Sequence, residues 1–388
     1  MLFCFFLMLI FFGHFCLVLF SHNWFYSRPF SRITGDLIQV AHFLIGLIGL
    51  FVVYESTIKF NSFICNPSSF SVIDIELIYA LVCFFVVFVV FPINEFLRNY
   101  WVLPRSLYFQ SSQLFDYSVG IEDKRFLAPI DDSFKLELVN AEISTNFLTG
   151  NSRFKILHIS DFHLGGNDNF SYFNSVLSEI QNEVFDVVFF TGDLVDSTPA
   201  LRWIVPLFKK INAKHGKYAV LGNHDLWNEP DMVRKYLAKA GFVCLLNRWV
   251  SFDFEGSKIG VFGVGYPWFC KKLPEIQLGD YDAKILLSHS PDEFFWAGRN
   301  DFDLMFCGHV HGGQISLPFF GPLVIPSKYG RWFGNGFYKC ERTSNRNKLN
   351  GMIMHVSRGL AGSVPFRVNC KPEITILDLV PEARIGKK

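Results

Sequence analysis

Three stretches of this chain share one design, in which a short apolar run ends in a polar cluster that contains an aspartate. The runs are Lys155–Asp161, Asp186–Asp193 and Lys217–Asp225. Apolar runs of this length, closed by polar or glycine residues, predict buried strands. Each strand then delivers an aspartate at its carboxyl end, and Gly192 lets the chain turn sharply before Asp193. This part of the chain is therefore predicted to alternate buried strands with loops that carry the chemistry.

Side chains of the types that bind hard, water-activating metals recur in these loops and in two later segments. Such metals take carboxylate, amide-oxygen and imidazole ligands, and no cysteine takes part, which argues against a structural zinc site. Any one motif is explained as well by a turn or a helix cap, whereas all five in order favour one metal centre. The motifs are Asp161-Phe-His163, Gly192-Asp193, Gly222-Asn223-His224-Asp225, Ser288-His289 and Gly308-His309-Val-His311. His158, His215 and His355 lie outside the motifs, and we predict them to be structural or solvated.

The pattern of predicted elements changes along the catalytic part of the chain. Helices are predicted over 172–182, 201–212 and 232–240, between and after the three strand units. After residue 240 the character becomes mostly β, with predicted strands at 242–246, 251–254, 258–264, 283–288, 304–307, 352–357 and 373–379. β-α-β units followed by a β-rich half predict two packed sheets flanked by helices, an α/β fold.

The first hundred residues have a different composition, in which three apolar stretches dominate. They run over 2–20, 37–54 and 77–93, and each has about the 20 residues that a helix needs to cross a bilayer. A signal peptide is the alternative for the first stretch, and a buried hairpin is the alternative for the other two. We predict three domains: a membrane region at 1–94 with about three transmembrane helices, a linker with a first strand at 95–150, and a catalytic domain at 151–388.

Charge and cysteine content constrain the compartment and the partners that we predict for the catalytic domain. Arg28 and Arg32 follow the first stretch and Arg98 and Arg105 the third, which predicts a cytoplasmic catalytic domain. The nine cysteines form no C-x-x-C pair and are odd in number, which also favours a reducing compartment. A net charge of +1 gives no support for a nucleic-acid partner. Oligomeric state is left open.

The order D-x-H, GD, GNHD, H, GHxH resembles the calcineurin-like metallophosphoesterase family. The resemblance implies a four-layer αββα two-sheet sandwich and two divalent metal ions that activate water for attack on phosphorus. Mn²⁺ suits the carboxylate-rich set best, and Fe, Zn²⁺ or Mg²⁺ are alternatives. It also implies that His224 is the proton donor and that Asp225 orients it. The implied metal ligands are Asp161, His163, Asp193, Asn223, His289, His309 and His311, with Asp193 bridging both ions.

The C-terminal motifs are Gly308-His-Val-His-Gly-Gly-Gln314, Pro326-Ser-Lys-Tyr-Gly-Arg-Trp332 and Val356-Ser-Arg-Gly-Leu360. They narrow the resemblance to membrane-anchored bacterial members of the YaeI/YkuE type, similar to a chlamydial UDP-2,3-diacylglucosamine pyrophosphatase. It implies an enzyme of the bacterial inner membrane that hydrolyses this lipid-linked pyrophosphate to a diacylglucosamine 1-phosphate and UMP, in lipid A biosynthesis. Lys328 and Arg331 are candidate contacts of the diphosphate. The apolar segment 315–325 is either an acyl-chain groove or a packing hairpin. The alternatives are a phosphodiesterase or phosphatase for another phospholipid or nucleotide, and a non-catalytic metal-binding scaffold.

Overall fold

The computed structural model separates the chain into two compact units, Met1–Trp101 and Val102–Lys388. The structure describes residues 1–69, 74–101, 108–118, 130–148, 152–166, 170–277, 279–318, 321–340, 351–362 and 364–382. The last helix of the first unit, α4 (below), ends at Trp101.

The first unit is helical and apolar on all sides. Its helices are α1 (Leu2–Tyr26), α2 (Arg32–Cys65), α3 (Ile75–Phe85) and α4 (Phe91–Trp101). A π-helical turn, Val86–Val90, joins α3 to α4. Three helices, Leu2–Tyr26, Arg32–Cys65 and Ile75–Arg98, are long and apolar enough to cross a membrane. The N-terminal unit therefore has the character of a membrane region.

The second unit holds the strands, and its helices are short. The helices are α5 (Phe170–Ser178), α6 (Ile204–Phe208), α7 (Asn223–Trp227), α8 (Pro230–Lys239) and α9 (Phe294–Arg299). The strands are β1 (Tyr108–Asp116), β2 (Lys135–Thr145), β3 (Phe154–Ile159), β4 (Val184–Phe185), β5 (Val187–Phe190), β6 (Asn212–Ala213), β7 (Lys217–Ala219), β8 (Phe242–Cys244), β9 (Arg248–Phe254), β10 (Ser257–Gly263), β11 (Ala283–Leu287), β12 (Leu304–Cys307), β13 (Ser316–Leu317), β14 (Gly321–Pro322), β15 (Gly336–Cys340), β16 (Met352–Val356) and β17 (Glu373–Pro381).

These strands build two main sheets. The first has seven strands in the order β1-β2-β17-β3-β5-β7-β8, and the second has six in the order β15-β16-β12-β11-β10-β9. Within the first sheet β3, β5 and β7 are parallel neighbours. Within the second, β10, β11 and β12 are parallel neighbours. The carboxyl ends of each parallel set therefore lie at one edge of their sheet.

Side-chain alternation along the strands makes the layers. Val187 and Phe189 of β5 pack between the two sheets with Ile285 and Phe306 of the second sheet. Val188 and Phe190 point the other way and pack against the helices over the first sheet. Helix α9 contacts β15 and β16 of the second sheet. The result is the four-layer αββα sandwich, in agreement with the predicted fold class.

Several elements differ from the sequence prediction. Residues 95–150 were predicted as a linker with one strand, but β1 and β2 both join the seven-stranded sheet. β1 is an edge strand whose segment Gln110–Gln113 is exposed, so it lacks the alternation of apolar and polar residues from which a strand is predicted. The predicted helix over 201–212 is a 3₁₀ turn, Thr198–Trp203, followed by the short α6. Strand β15 was not predicted.

Candidate metal centre

The strand ends bring the predicted polar residues of the first sheet together. Asp161 follows β3, Asp193 follows β5 and Asn223 follows β7. Because these three strands are parallel neighbours, the loops after them meet at one edge of the sheet. The alternation of buried strand and polar loop in the sequence is therefore the cause of this half of the site.

The second sheet supplies the histidines. His289 follows β11, and His309 and His311 follow β12, which is the parallel neighbour of β11. The His311 Nδ1 atom lies 3.9 Å from Asp161 Oδ1, and the His289 Nε2 atom lies 3.2 Å from Asp193 Oδ2. The site is thus assembled where the edges of the two sheets face each other.

Three groups of side chains in the described part of the chain place metal-binding atoms within 4.8 Å of one another. Asp193 belongs to two of them, which gives it the position that a bridging carboxylate requires. Asn223 Oδ1 lies 3.3 Å from His289 Nε2, beside the group that contains His289 and His309. The groups are Asp161, His163, Asp193 and His311; Asp193, His289 and His309; and His163, Asp196 and His224.

The backbone of this site is held in an unusual conformation. Asp161, His163, Asp193, His309 and His311 all have positive φ angles, of 53°, 47°, 54°, 69° and 49°. Non-glycine residues avoid this left-handed region, and each such residue costs about 1–3 kcal/mol. The surrounding sandwich therefore stabilises a loop geometry that these residues would not adopt alone.

Glycines leave the space that the polar groups fill. A Cβ atom on Gly222 would overlap the Asp193 carboxylate and approach the His289 ring. A Cβ atom on Gly308 would overlap the Asp161 carboxylate and the Ser160 hydroxyl. The glycines of the GNHD and GHxH motifs are thus required by close approach of the polar groups.

The donor atoms fit a metal ion. The buried ring nitrogens His163 Nε2, His309 Nδ1 and Nε2, and His311 Nδ1 have no hydrogen-bond partner within the described residues. A buried polar atom without a partner is costly, and a metal ion would satisfy it. Burial, helped by the neighbouring His289, lowers the pKa of His309 to about 3, so its imidazole keeps a lone pair for a ligand bond. The cluster of carboxylates and imidazoles is therefore a potential divalent-metal site.

Asp196 is the partner of His224. The Asp196 Oδ1 atom lies 2.7 Å from His224 Nδ1 and 2.9 Å from His163 Nδ1. Burial acts to raise the pKa of Asp196, but the two imidazoles outweigh burial and lower it. A carboxylate on the far ring nitrogen fixes the tautomer and orientation of an imidazole. Asp196 was not predicted from the sequence. The feature that could have indicated it is its position three residues after Asp193, in Asp-Leu-Val-Asp.

The prediction that Asp225 orients His224 is wrong. Its Oδ2 atom accepts a hydrogen bond from the Gly222 N–H at 2.9 Å, and its Oδ1 atom accepts from the Leu194 N–H at 2.8 Å. Asp225 lies in the first turn of α7, where a carboxylate caps free backbone N–H groups. Its role is to hold the loop after β7 against the loop after β5.

Two histidines outside the motifs join the sheets behind the site. His158 of β3 and His355 of β16 are buried, and their Nδ1 atoms lie 2.7 Å apart. His158 Nε2 lies 2.9 Å from Thr191 Oγ1, and Thr191 donates to Ser160 Oγ at 2.7 Å. His355 Nε2 lies 3.3 Å from Glu373 Oε1. They are structural, as predicted, and they form a polar bridge through an otherwise apolar interior.

The predicted substrate residues lie outside the three groups. Lys328 is exposed, its N–H donates to Asp292, and its ammonium lies 5.0 Å from the centre of the Tyr329 ring. Arg331 lies in the 3₁₀ turn Gly330–Trp332. In the segment 315–325, β13 pairs with β14 as a hairpin, and residues 319–320 lie outside the described residues. The centre of the Trp268 ring lies 5.1 Å from that of His289 and 4.9 Å from that of His309.

Known proteins match the part of the chain that carries this site. The calcineurin-like phosphoesterase family model matches residues 154–313. The chain is 33% identical to the uncharacterized metallophosphoesterase YkuE of Bacillus subtilis over 237 residues, which is 58% of this chain and 79% of that protein. It is 25% identical to the phosphodiesterase YaeI of Escherichia coli over 234 residues, 58% of this chain and 82% of that protein.

A third relative carries a more specific name. The chain is 24% identical to the UDP-2,3-diacylglucosamine pyrophosphatase LpxG of Chlamydia muridarum over 288 residues, 58% of this chain and 82% of that protein. The match to the family model contains the seven implied metal ligands as well as His224, Asp225 and Asp196. The chain belongs to the calcineurin-like phosphoesterase family and is a hydrolase of phosphoester bonds.

Proposed function

We propose that this protein hydrolyses the pyrophosphate bond of UDP-2,3-diacylglucosamine with two divalent metal ions. The observation that carries the two-ion site is Asp193, whose carboxylate belongs to one group with Asp161, His163 and His311 and to another with His289 and His309. Asn223 beside His289 completes the second set. The likeness to LpxG supports the choice of substrate.

The proposed reaction is hydrolysis by water. Two ions at such a site lower the pKa of water and neutralise charge on the phosphoryl oxygens. A bond forms between the water oxygen and one phosphorus, and the bond from that phosphorus to the bridging oxygen breaks. The products are UMP and 2,3-diacylglucosamine 1-phosphate.

His224 is the proposed proton donor to the leaving oxygen. Its Nδ1 atom is held by Asp196, so its Nε2 atom is the one available for that transfer. The contact with the Asp196 carboxylate also fixes the orientation of the His224 ring. His224 also donates its backbone N–H to Asp193 Oδ1 at 2.9 Å, which fixes it relative to the ligand groups.

The remaining assignments follow from the ligand chemistry and the helical unit. We propose Mn²⁺ as the preferred ion, because the set mixes carboxylates with imidazoles. Lys328 and Arg331 are proposed contacts of the diphosphate. The three apolar helices support a lipid-linked substrate at the bacterial inner membrane, with the catalytic unit in the cytoplasm.

The test is product analysis with the detergent-solubilised full chain. UDP-2,3-diacylglucosamine and Mn²⁺ are supplied in water enriched in ¹⁸O, and phosphorus NMR follows the products. Release of UMP by the wild type but not by His224→Ala supports the proposal, and the isotope shift identifies which phosphorus water attacks. Intact substrate, together with hydrolysis of bis-p-nitrophenyl phosphate, would reject this substrate and keep the metal centre.

A phosphodiesterase acting on another substrate is the second candidate. The likeness to the phosphodiesterase YaeI favours it, at an identity close to that for LpxG. Hydrolysis of the generic diester without UMP release is the result that this candidate predicts.

A further inference from the structure

A cavity of about 310 Å³ lies where the chain crosses from the first sheet to the second. The crossing is the turn between β8, at the edge of the seven-stranded sheet, and β9, at the edge of the six-stranded sheet. The lining residues include Leu221, Arg234, Cys244, Leu245, Arg248 and Phe269. None of the residues assigned to the metal centre lines this cavity.

The cavity and the metal centre share two walls. Leu221 lines the cavity, and the chain continues from it directly into Gly222 and Asn223 of the centre. Phe269 lines the cavity, and the preceding Trp268 packs its ring on His289 and His309. The cavity therefore lies directly beside the metal centre in the fold.

The charge of the cavity favours an anion. Two arginines line it, and no aspartate or glutamate is among its lining residues. Arg248 donates to the Cys244 carbonyl at 2.6 Å, which fixes one end of the guanidinium and leaves further N–H donors. Arg234 pairs with Asp231 at 2.8 Å, but the Asp231 side chain is 91% exposed, so this ion pair is weak and a bound phosphate can displace it.

The size and the apolar wall favour a planar group beside the anion. The volume is at the lower end of the range of small-molecule sites, too small for two acyl chains. Leu245, Leu246 and Val264 form the apolar wall with Phe269. The Arg234 guanidinium lies 5.6 Å from the centre of the Phe269 ring, so cation and aromatic face are presented together.

We propose that this cavity is the subsite for the second phosphoryl group and the nucleoside of a nucleoside-diphosphate-linked substrate. One phosphoryl group lies at the metal centre, where Lys328 and Arg331 are its proposed contacts. The other contacts Arg234 and Arg248, and the nucleoside packs along Phe269 and the leucines. The choice of uridine as the nucleoside rests on the proposed function. The cavity is assigned to the nucleotide part of the substrate and not to its lipid part.

The experiment measures binding of UDP to the Mn²⁺-loaded full chain by isothermal titration calorimetry, with pyrophosphate as the second probe. We expect UDP to bind about tenfold more tightly than pyrophosphate. We expect Arg234→Gln with Arg248→Gln to weaken both probes about tenfold or more. Phe269→Ala should weaken UDP and leave pyrophosphate within about twofold, because it removes only the wall for the nucleoside.

Arg299→Gln is the control, since it replaces an arginine in the same way at the end of α9 and Arg299 does not line the cavity. Mn²⁺ content per chain and Tm should be unchanged in every variant, which shows that the metal centre and the fold are intact. Equal affinity for UDP and pyrophosphate in the wild type, or unchanged UDP affinity in the double variant, would overturn the subsite. UDP binding that is lost in the variants, without hydrolysis of UDP-2,3-diacylglucosamine, keeps the subsite and rejects the lipid substrate.

Discussion

The two sheets contribute different chemistry to one centre. The loops of the seven-stranded sheet supply both carboxylates, Asp161 and Asp193, together with His163 and Asn223. The loops of the six-stranded sheet supply imidazoles, from His289, His309 and His311. Neither sheet alone offers a complete ligand set, so the centre depends on how the sandwich closes. The negative charge of the site therefore comes from the seven-stranded sheet, and the six-stranded sheet adds the three imidazoles that face it.

The largest expected effect comes from removing the carboxylate that both metal-binding groups share. Asp193→Asn should lower kcat about 10³-fold or more, because it weakens both ions at once. Hydrolysis of bis-p-nitrophenyl phosphate and metal content per chain are the measurements. Asp253→Asn, at an exposed position of β9, is the control and should change neither. An Asp193→Asn protein with more than a tenth of wild-type activity would contradict the bridging position.

Variants of Asp196 and Asp225 distinguish two roles, which are orientation of His224 and support of the loops. Asp196→Asn removes the negative charge beside His224 and His163, so kcat should fall about 10²-fold with little change in Tm. Asp225→Asn leaves a backbone N–H unpaired, so the stability should fall by about 1–3 kcal/mol. Steady-state kinetics beside thermal unfolding gives both readouts. The same pattern of losses in the two variants would remove the distinction.

The histidine bridge tests whether the sheets are held together by more than apolar packing. His355→Phe keeps the volume of the ring but leaves His158 Nδ1 buried without its partner. We expect a loss of about 1–3 kcal/mol in stability. His215→Phe, at a half-buried position, is the comparison and should cost less. Equal Tm values for His355→Phe and wild type would show that the bridge does not stabilise the sandwich.

A buried acid beside the second sheet gives the smallest expected effect. Burial, helped by the neighbouring Asp292, raises the pKa of Glu293 to about 8, from 4.5. Between these values the folded chain keeps a proton that the unfolded chain releases, so stability falls as pH rises, by at most about 1.4 kcal/mol per pH unit. Glu293→Gln removes this slope. Thermal unfolding at pH 6 and pH 7 should show a smaller drop in the variant, and equal drops would contradict the assignment.

What the sequence predicts well is local. The seven implied ligands were predicted from motifs that follow short apolar runs or contain a glycine, and such a pattern depends only on neighbouring residues. The structure brings these side chains close together. Asp196 was missed because its contacts join loops from different strands, and no local pattern records which partner it meets. Asp225 was given the wrong partner, since adjacency to His224 in sequence does not fix which way a side chain points in the first turn of a helix.

The same limit explains why strand β1 was not predicted. β1 is a polar edge strand, and its Gln110–Gln113 segment lacks the apolar alternation that marks a half-buried strand. The apolar helices were found with similar bounds because hydropathy over about 20 residues is itself the signal. Patterns of apolar residues therefore predict elements that are buried or apolar throughout, and they do not predict a solvent-exposed edge strand.

The most direct test of the two-sheet metal centre is titration of the metal-free full chain with Mn²⁺, with bound ions per chain and bis-p-nitrophenyl phosphate hydrolysis measured at each step. The account predicts that two ions bind per chain in the wild type and that full activity requires both. Saturation at a single ion with full activity, or hydrolysis by the metal-free chain, would contradict it.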